Sequence, residues 1–150
     1  MKTTDNATVR AAQDFAAKVH DGQIDRAGAP YLFHVLRVSA AGLTPVEQIV
    51  GALHDVIEDT SYTHADLVGL FGQEVADAVQ TLSRQASETY AAFIERCAAT
   101  PLTRAVKIND LLDNLNRLQS LPADEAKRKF KRYFAALERL GYEYITKGSV

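Results

Sequence analysis

Apolar residues recur at helical spacing along most of the chain. Val9, Ala12, Phe15, Ala16 and Val19 form a one-sided stripe, which predicts a helix from Val9 to His20. The loop DGQIDRAGAP follows, and the pattern resumes after Pro30 from Tyr31 to Ala41. Thr44, Pro45 and Glu47 supply a cap, a first-turn proline and the capping-box spacing. They predict a helix that runs to about Asp59. Thr63 and Asp66 repeat the capping spacing and open another helix. Gly72 interrupts it, and Gln73 to Leu82 continues the pattern. Further helices are expected from Ser87 to about Ala98, from Thr100-Pro101 to about Leu118, and from Asp124 to about Leu140. No alternating run flanks a hairpin dipeptide, so no strand competes. The expectation is an all-α bundle of about eight helices in a single domain, residues 1–150.

Composition narrows the function classes. At 150 residues and 47% hydrophobic the chain can bury a core without staples. Its single cysteine, Cys97, excludes an internal disulfide and is expected to be a core thiol. The opening MKTTDNATVR has no apolar signal core, and no stretch approaches a membrane span. Both features fit a cytoplasmic location, and a net charge of only −2 argues against membrane or nucleic-acid partners. A homo-oligomer stays open.

Two polar stripes carry candidate chemistry. In the run His54-Asp55-Val56-Ile57-Glu58-Asp59, His54, Asp55 and Glu58 fall within an arc of roughly 100° on a helix. On the helix after Thr100, Lys107, Asp110, Asn114 and Arg117 share one face. Read alone, each stripe is equally an ordinary solvated face. Read together, they can present His-Asp and Asp to each other, and one more His would complete a four-ligand set. His34 and His20 are the candidates, and a satisfied core histidine is the alternative for each. His64, just after a cap, is expected at the surface.

The segments VHDGQ (19–23), PYLFH (30–34), ALHDVIEDT (52–60), FGQEV (71–75) and VKINDLLDN (106–114) occur in this order. Together they resemble the HD-domain phosphohydrolases, and within them the hydrolase domain of Rel/Spo-type alarmone enzymes and the small alarmone hydrolases. The likeness spans roughly residues 10–140. It implies a metal, usually manganese, held by His34, His54, Asp55 and Asp110. Such a His2Asp2 set also suits iron, zinc or cobalt. It implies that Glu58 and Asp59 position or deprotonate water and that Asn114 assists. The implied reaction removes the 3′-pyrophosphate of a nucleotide such as (p)ppGpp, with no room for a synthetase domain.

A polyanionic substrate needs cations. Lys107 and Arg117 flank Asp110, with Arg26, Lys18 and Arg104 as further candidates. Tyr133 falls where the family carries a tyrosine near the nucleotide. One or two members of the basic cluster at 127–132 could reach a phosphate. The resemblance departs at Asp25, where the long enzymes carry a base-stacking arginine, and at Val35, where proline is usual. Arg26 or Asp25 could read the base instead, so guanine and adenine alarmones, (p)ppGpp and (pp)pApp, both stay open. Other readings are an HD phosphohydrolase acting on another nucleotide or NADPH, and a non-catalytic nucleotide sensor.

Overall fold

The computed structural model describes residues 5–143, so the chain ends, including the first residues of the opening segment, lie outside it. Nine α-helical segments follow one another, with no strand among the described residues. They are α1 (Asp5–Val19), α2 (Tyr31–Ala41), α3 (Pro45–Leu53), α4 (Val56–Asp59), α5 (His64–Phe71), α6 (Gln73–Thr81), α7 (Tyr90–Cys97), α8 (Pro101–Arg117) and α9 (Ala123–Arg139). A 3-10 turn, Leu118–Ser120, joins the last two. The all-α expectation holds.

The starts follow the caps. Thr44 Oγ1 accepts from the Glu47 amide, while the Glu47 carboxylate reaches back to the Leu43 amide at 2.9 Å. Thr63 and Asp66 close a full capping box. Thr100 accepts from the Thr103 amide. At Gly72, φ is +94°, a value glycine adopts without strain, and there α5 turns into α6.

Three boundaries differ from the pattern, the first being the start of α1, at Asp5 rather than Val9. The helix expected to reach Asp59 breaks at His54–Asp55 and restarts as the single turn α4. The His54 ring donates to Gly51 O at 2.7 Å, the carbonyl that a continuing helix would offer to the amide of residue 55. Asp55 then sits at φ −101°, ψ 1°. Helix α7 opens at Tyr90 rather than Ser87, capped by Thr89. The stretch before it is held as a loop by Arg96, which donates to Glu88 and to the carbonyls of Thr81 and Ser83.

Helix α8 is the central strut. It packs against α2, α3, α6, α7 and α9. Leu53, Leu67, Val79, Leu111 and Leu137 form the core around it, with Cys97. Burial pushes the Cys97 thiol up to about 11, as expected of an inert core thiol. Helices α2 and α3 approach so closely that a Cβ on Gly51 would lie 3.0 Å from Ser39 Cα and Val38 O. Gly51→Ala should therefore cost about 1–3 kcal/mol by overpacking. Urea titration of the variant checks this; an unchanged midpoint would show that the two helices can part freely.

Candidate active site

Four helices bring the polar stripes together. Tyr31 opens α2 after Pro30, which places His34 one turn inside the bundle at 1% exposure. Its Nδ1 lies 2.7 Å from Asp113 Oδ2, and Asp113 Oδ1 accepts from Arg37 Nε at 2.7 Å. A carboxylate and a backbone carbonyl only accept, so Nδ1 carries the proton in both His34 and His54. In the neutral rings each Nε2 then presents a lone pair.

The two Nε2 atoms converge. His34 Nε2 is 2.9 Å and His54 Nε2 3.3 Å from Asp110 Oδ1. Asp55 Oδ2 is 3.0 Å from His54 Nε2 and 3.9 Å from His34 Nε2. Neither buried Nε2 has a hydrogen-bond partner in acceptable geometry. One ligand atom from each of His34, His54 and Asp110 lies within 4.8 Å of the other two. Two lone pairs and a carboxylate aimed at one point suit a divalent cation, and their outer nitrogens are fixed as metal-binding imidazoles require. Asp55 borders this group, with Oδ2 accepting from Tyr31 Oη at 2.6 Å.

Electrostatics follow from burial of mixed charge. Burial disfavours the charged imidazoles, but Asp110 with Asp113, and Asp55 with Asp110, outweigh it and raise His34 and His54. Burial also works against the Asp110 charge, yet Lys107 and the two histidines hold that carboxyl well below its ordinary range. Asp55 is lowered chiefly by His54, again against burial. Glu58 and Asp59 lie on α4 at the rim. Loss of water contact, then the neighbouring charge of Asp55, pushes Asp59 up to about 7 and raises Glu58 as well. Glu58 Oε1 accepts from the Arg84 amide, and Asp59 O accepts from Gln23 Nε2.

Beside this cluster opens a cavity of about 210 Å³. Tyr31, Asn114, Arg117 and Tyr133 form one wall, and Asp25 and Arg26 of the α1–α2 loop another. Asn114 links the cavity to the cluster through a 3.4 Å bond to Asp110 Oδ1. Of the residues expected to bind substrate, Asp25, Arg26, Arg117 and Tyr133 therefore meet here. Lys107 does not: it is buried, 2.7 Å from Asp110 Oδ2 and over the Phe93 ring at 4.9 Å. The expected solvated Lys-Asp face is an internal ion pair instead, because α7 and its Phe93 cover that side of α8. Lys18 and Arg104 are outside the cavity lining, and Arg104 bonds Ala98 O. Among the basic cluster, Lys129 lines it. His20 is buried against Gln23 at 2.9 Å, beside the Tyr31 ring and outside the group formed by His34, His54 and Asp110. His64 is half-buried and pairs with Asp77.

Sequence reasoning passed over Asp113 and the Tyr31 hydroxyl. Asp113 had a signal, being three residues after Asp110 and four before Arg117 on the same helix. Tyr31 had only its place before His34.

An all-helical domain with paired His and Asp side chains converging from α2, the α3–α4 break and α8 defines the HD class. The chain is 31% identical over 91% of its length to a GTP pyrophosphokinase of Myxococcus xanthus and covers 21% of that protein. It is 30% identical over 91% of its length to the bifunctional (p)ppGpp synthase/hydrolase SpoT of Escherichia coli, covering 22% of it. It thus spans about a fifth of these relatives. A solved structure of a metazoan ortholog of SpoT that hydrolyzes ppGpp superimposes with a TM-score of 0.78 at 26% identity, covering 93% of this chain and 88% of that one. No protein-family model matches the chain. The chain is thus similar over nearly its whole length to proteins of the Rel/Spo type and shares the fold of that SpoT ortholog. Among the described residues no helix is long and apolar enough to cross a membrane.

Proposed function

We propose that this domain is a metal-dependent 3′-pyrophosphohydrolase of alarmone nucleotides, (p)ppGpp or (pp)pApp. The observation that carries the reading is the pair of unpartnered imidazole lone pairs converging on Asp110 beside a cation-lined cavity. His34, His54, Asp110 and Asp55 would hold the ion, with Mn²⁺ the first candidate. Such an ion activates water and offsets negative charge on a phosphate. Asp59 and Glu58 stand at the rim with carboxyls raised toward neutrality, suited to take a proton from the attacking water. Water attacks the phosphorus next to the ribose, the bond from that phosphorus to O3′ breaks, and the returned proton leaves a 3′-hydroxyl and free pyrophosphate. Asn114 orients a phosphate oxygen or the water, and Arg117, with Tyr133 beside it, receives the nucleotide. The relatives' names, which include a hydrolase of ppGpp, support the substrate class.

The test is hydrolysis of ppGpp, ppApp, GTP and NADPH with Mn²⁺, repeated after chelation. Pyrophosphate release from ppGpp or ppApp that stops with chelator is the expected result. Turnover of NADPH or GTP alone would replace the substrate, bound metal without any turnover would point to another phosphoester, and neither metal nor turnover would favour a sensor.

A further inference from the structure

Asp25 lines the cavity, yet both of its carboxylate oxygens are engaged within the protein. Oδ1 accepts from the amides of Ala27 and Ala29, at 2.9 and 3.0 Å, and so shapes the loop between α1 and α2. The loop is closed by further backbone bonds between Asp25 and Ala29 and between Tyr31 and Gln23. Oδ2 reaches Arg117 Nη1 on α8 at 3.4 Å, across 92 residues of chain.

Arg117 differs from the other cations of the cavity. Arg26 is 66% exposed and is spent on a bidentate pair with Glu125. Lys129 lies 4.0 Å from the same Glu125. Arg117 is set into the wall at 24% exposure, with its guanidinium carbon 5.8 Å from the Tyr31 ring centroid. Its Nη2 donates to Asn114 Oδ1, and Asn114 in turn contacts Asp110. Its Nε is sealed from solvent without a hydrogen bond, 3.5 Å from Asp113. A guanidinium held by a carboxylate on one side and an amide on the other is fixed in direction before any ligand arrives, which lowers the ordering cost of binding an anion.

We infer that Asp25 is a positioning residue rather than a substrate contact: it acts through Arg117, which is the preset cation that receives the nucleotide. The loop sequence thereby reaches the reaction centre along one path, Asp25 to Arg117 to Asn114 to Asp110. This rests on the cavity being a nucleotide site, as proposed above.

Asp25→Asn is the discriminating variant. The amide keeps an acceptor for the Ala27 and Ala29 amides, preserving the turn, while it removes the charge facing Arg117. The measurements are KM and kcat on ppGpp and ppApp for the wild type, Asp25→Asn, Arg117→Ala and the double variant. Affinities for GDP and ADP are read in parallel, with a thermal melt of each. Asp25→Asn is expected to raise KM about tenfold with kcat within about twofold. Arg117→Ala should raise it further, and Asp25→Asn should add nothing in the Arg117→Ala background. Additive effects, or an Asp25→Asn protein with wild-type KM and product affinity, would overturn the assignment. If the wild type hydrolyses neither alarmone, the proposed activity fails and the GDP and ADP affinities alone decide this inference. A wild type that binds no nucleotide overturns both.

Discussion

Replacing His54 or Asp55 by alanine should abolish metal binding and reduce turnover about a thousandfold or more, while the helical fold persists. The side chains at stake are terminal groups around one point rather than core packers such as Leu53 and Leu111. Asp113→Asn should act more mildly. It leaves the ligand set whole but weakens the acceptor that orients the His34 ring, which predicts about a 10–100-fold loss of metal affinity. Metal content, circular dichroism and hydrolysis rate on the same preparations separate these outcomes. Full activity in either alanine variant would falsify the ligand assignment.

The same geometry predicts how the site responds to pH. In the metal-free protein His34 and His54 are raised above the ordinary imidazole value. Their contribution to stability is fully present below the unfolded value of about 6.5 and is lost as pH rises through the folded value. Asp55 and Asp110 are lowered. Their contribution is present above the unfolded value of about 3.9 and is lost as pH falls through the folded one. A cation needs the imidazoles unprotonated, so binding releases protons and tightens with rising pH. The rise in melting temperature on adding Mn²⁺ should be larger at pH 8 than at pH 6. An equal rise at both would mean that the histidines are not ligands.

The second large effect concerns Lys107. Lys107→Met strands the buried Asp110 charge and should destabilise the metal-free protein by about 3–5 kcal/mol. For a chain of this length that is a fall of roughly 10 °C in melting temperature. Mn²⁺ would restore part of it, since the cation supplies the missing positive charge. Lys107→Met with Asp110→Asn should recover much of the loss without metal, because no unpaired charge remains. A Lys107→Met protein that melts like the wild type would show that the pair contributes nothing to the fold. Lys107 is thus the buried counter-ion of Asp110, and Lys129 of the basic cluster lines the cavity in its stead.

How much was legible beforehand varied with the kind of signal. Helix starts at Thr44, Thr63 and Thr100 were readable because caps are local: the hydroxyl and the amide it accepts from are three residues apart. The stripe of Asp110, Asn114 and Arg117 was readable because helical spacing puts residues of α8 on one face. The break at His54–Asp55 was not, since it depends on a ring turning back onto Gly51 O. Periodicity places a side chain on a face without saying where its polar atoms point.

Short-range spacing and residue type thus reveal the helical class, most element boundaries and the polar residues that meet in the cluster. Their surroundings follow from packing alone. Packing of α7 against α8 turned Lys107 from a surface cation into a buried counter-ion. Folding of the α1–α2 loop onto α8 engaged both oxygens of Asp25 and left Arg117 as the cation set into the cavity wall. Those outcomes rest on contacts across as many as 92 residues, and contacts at that separation are set by how the helices pack rather than by any local pattern.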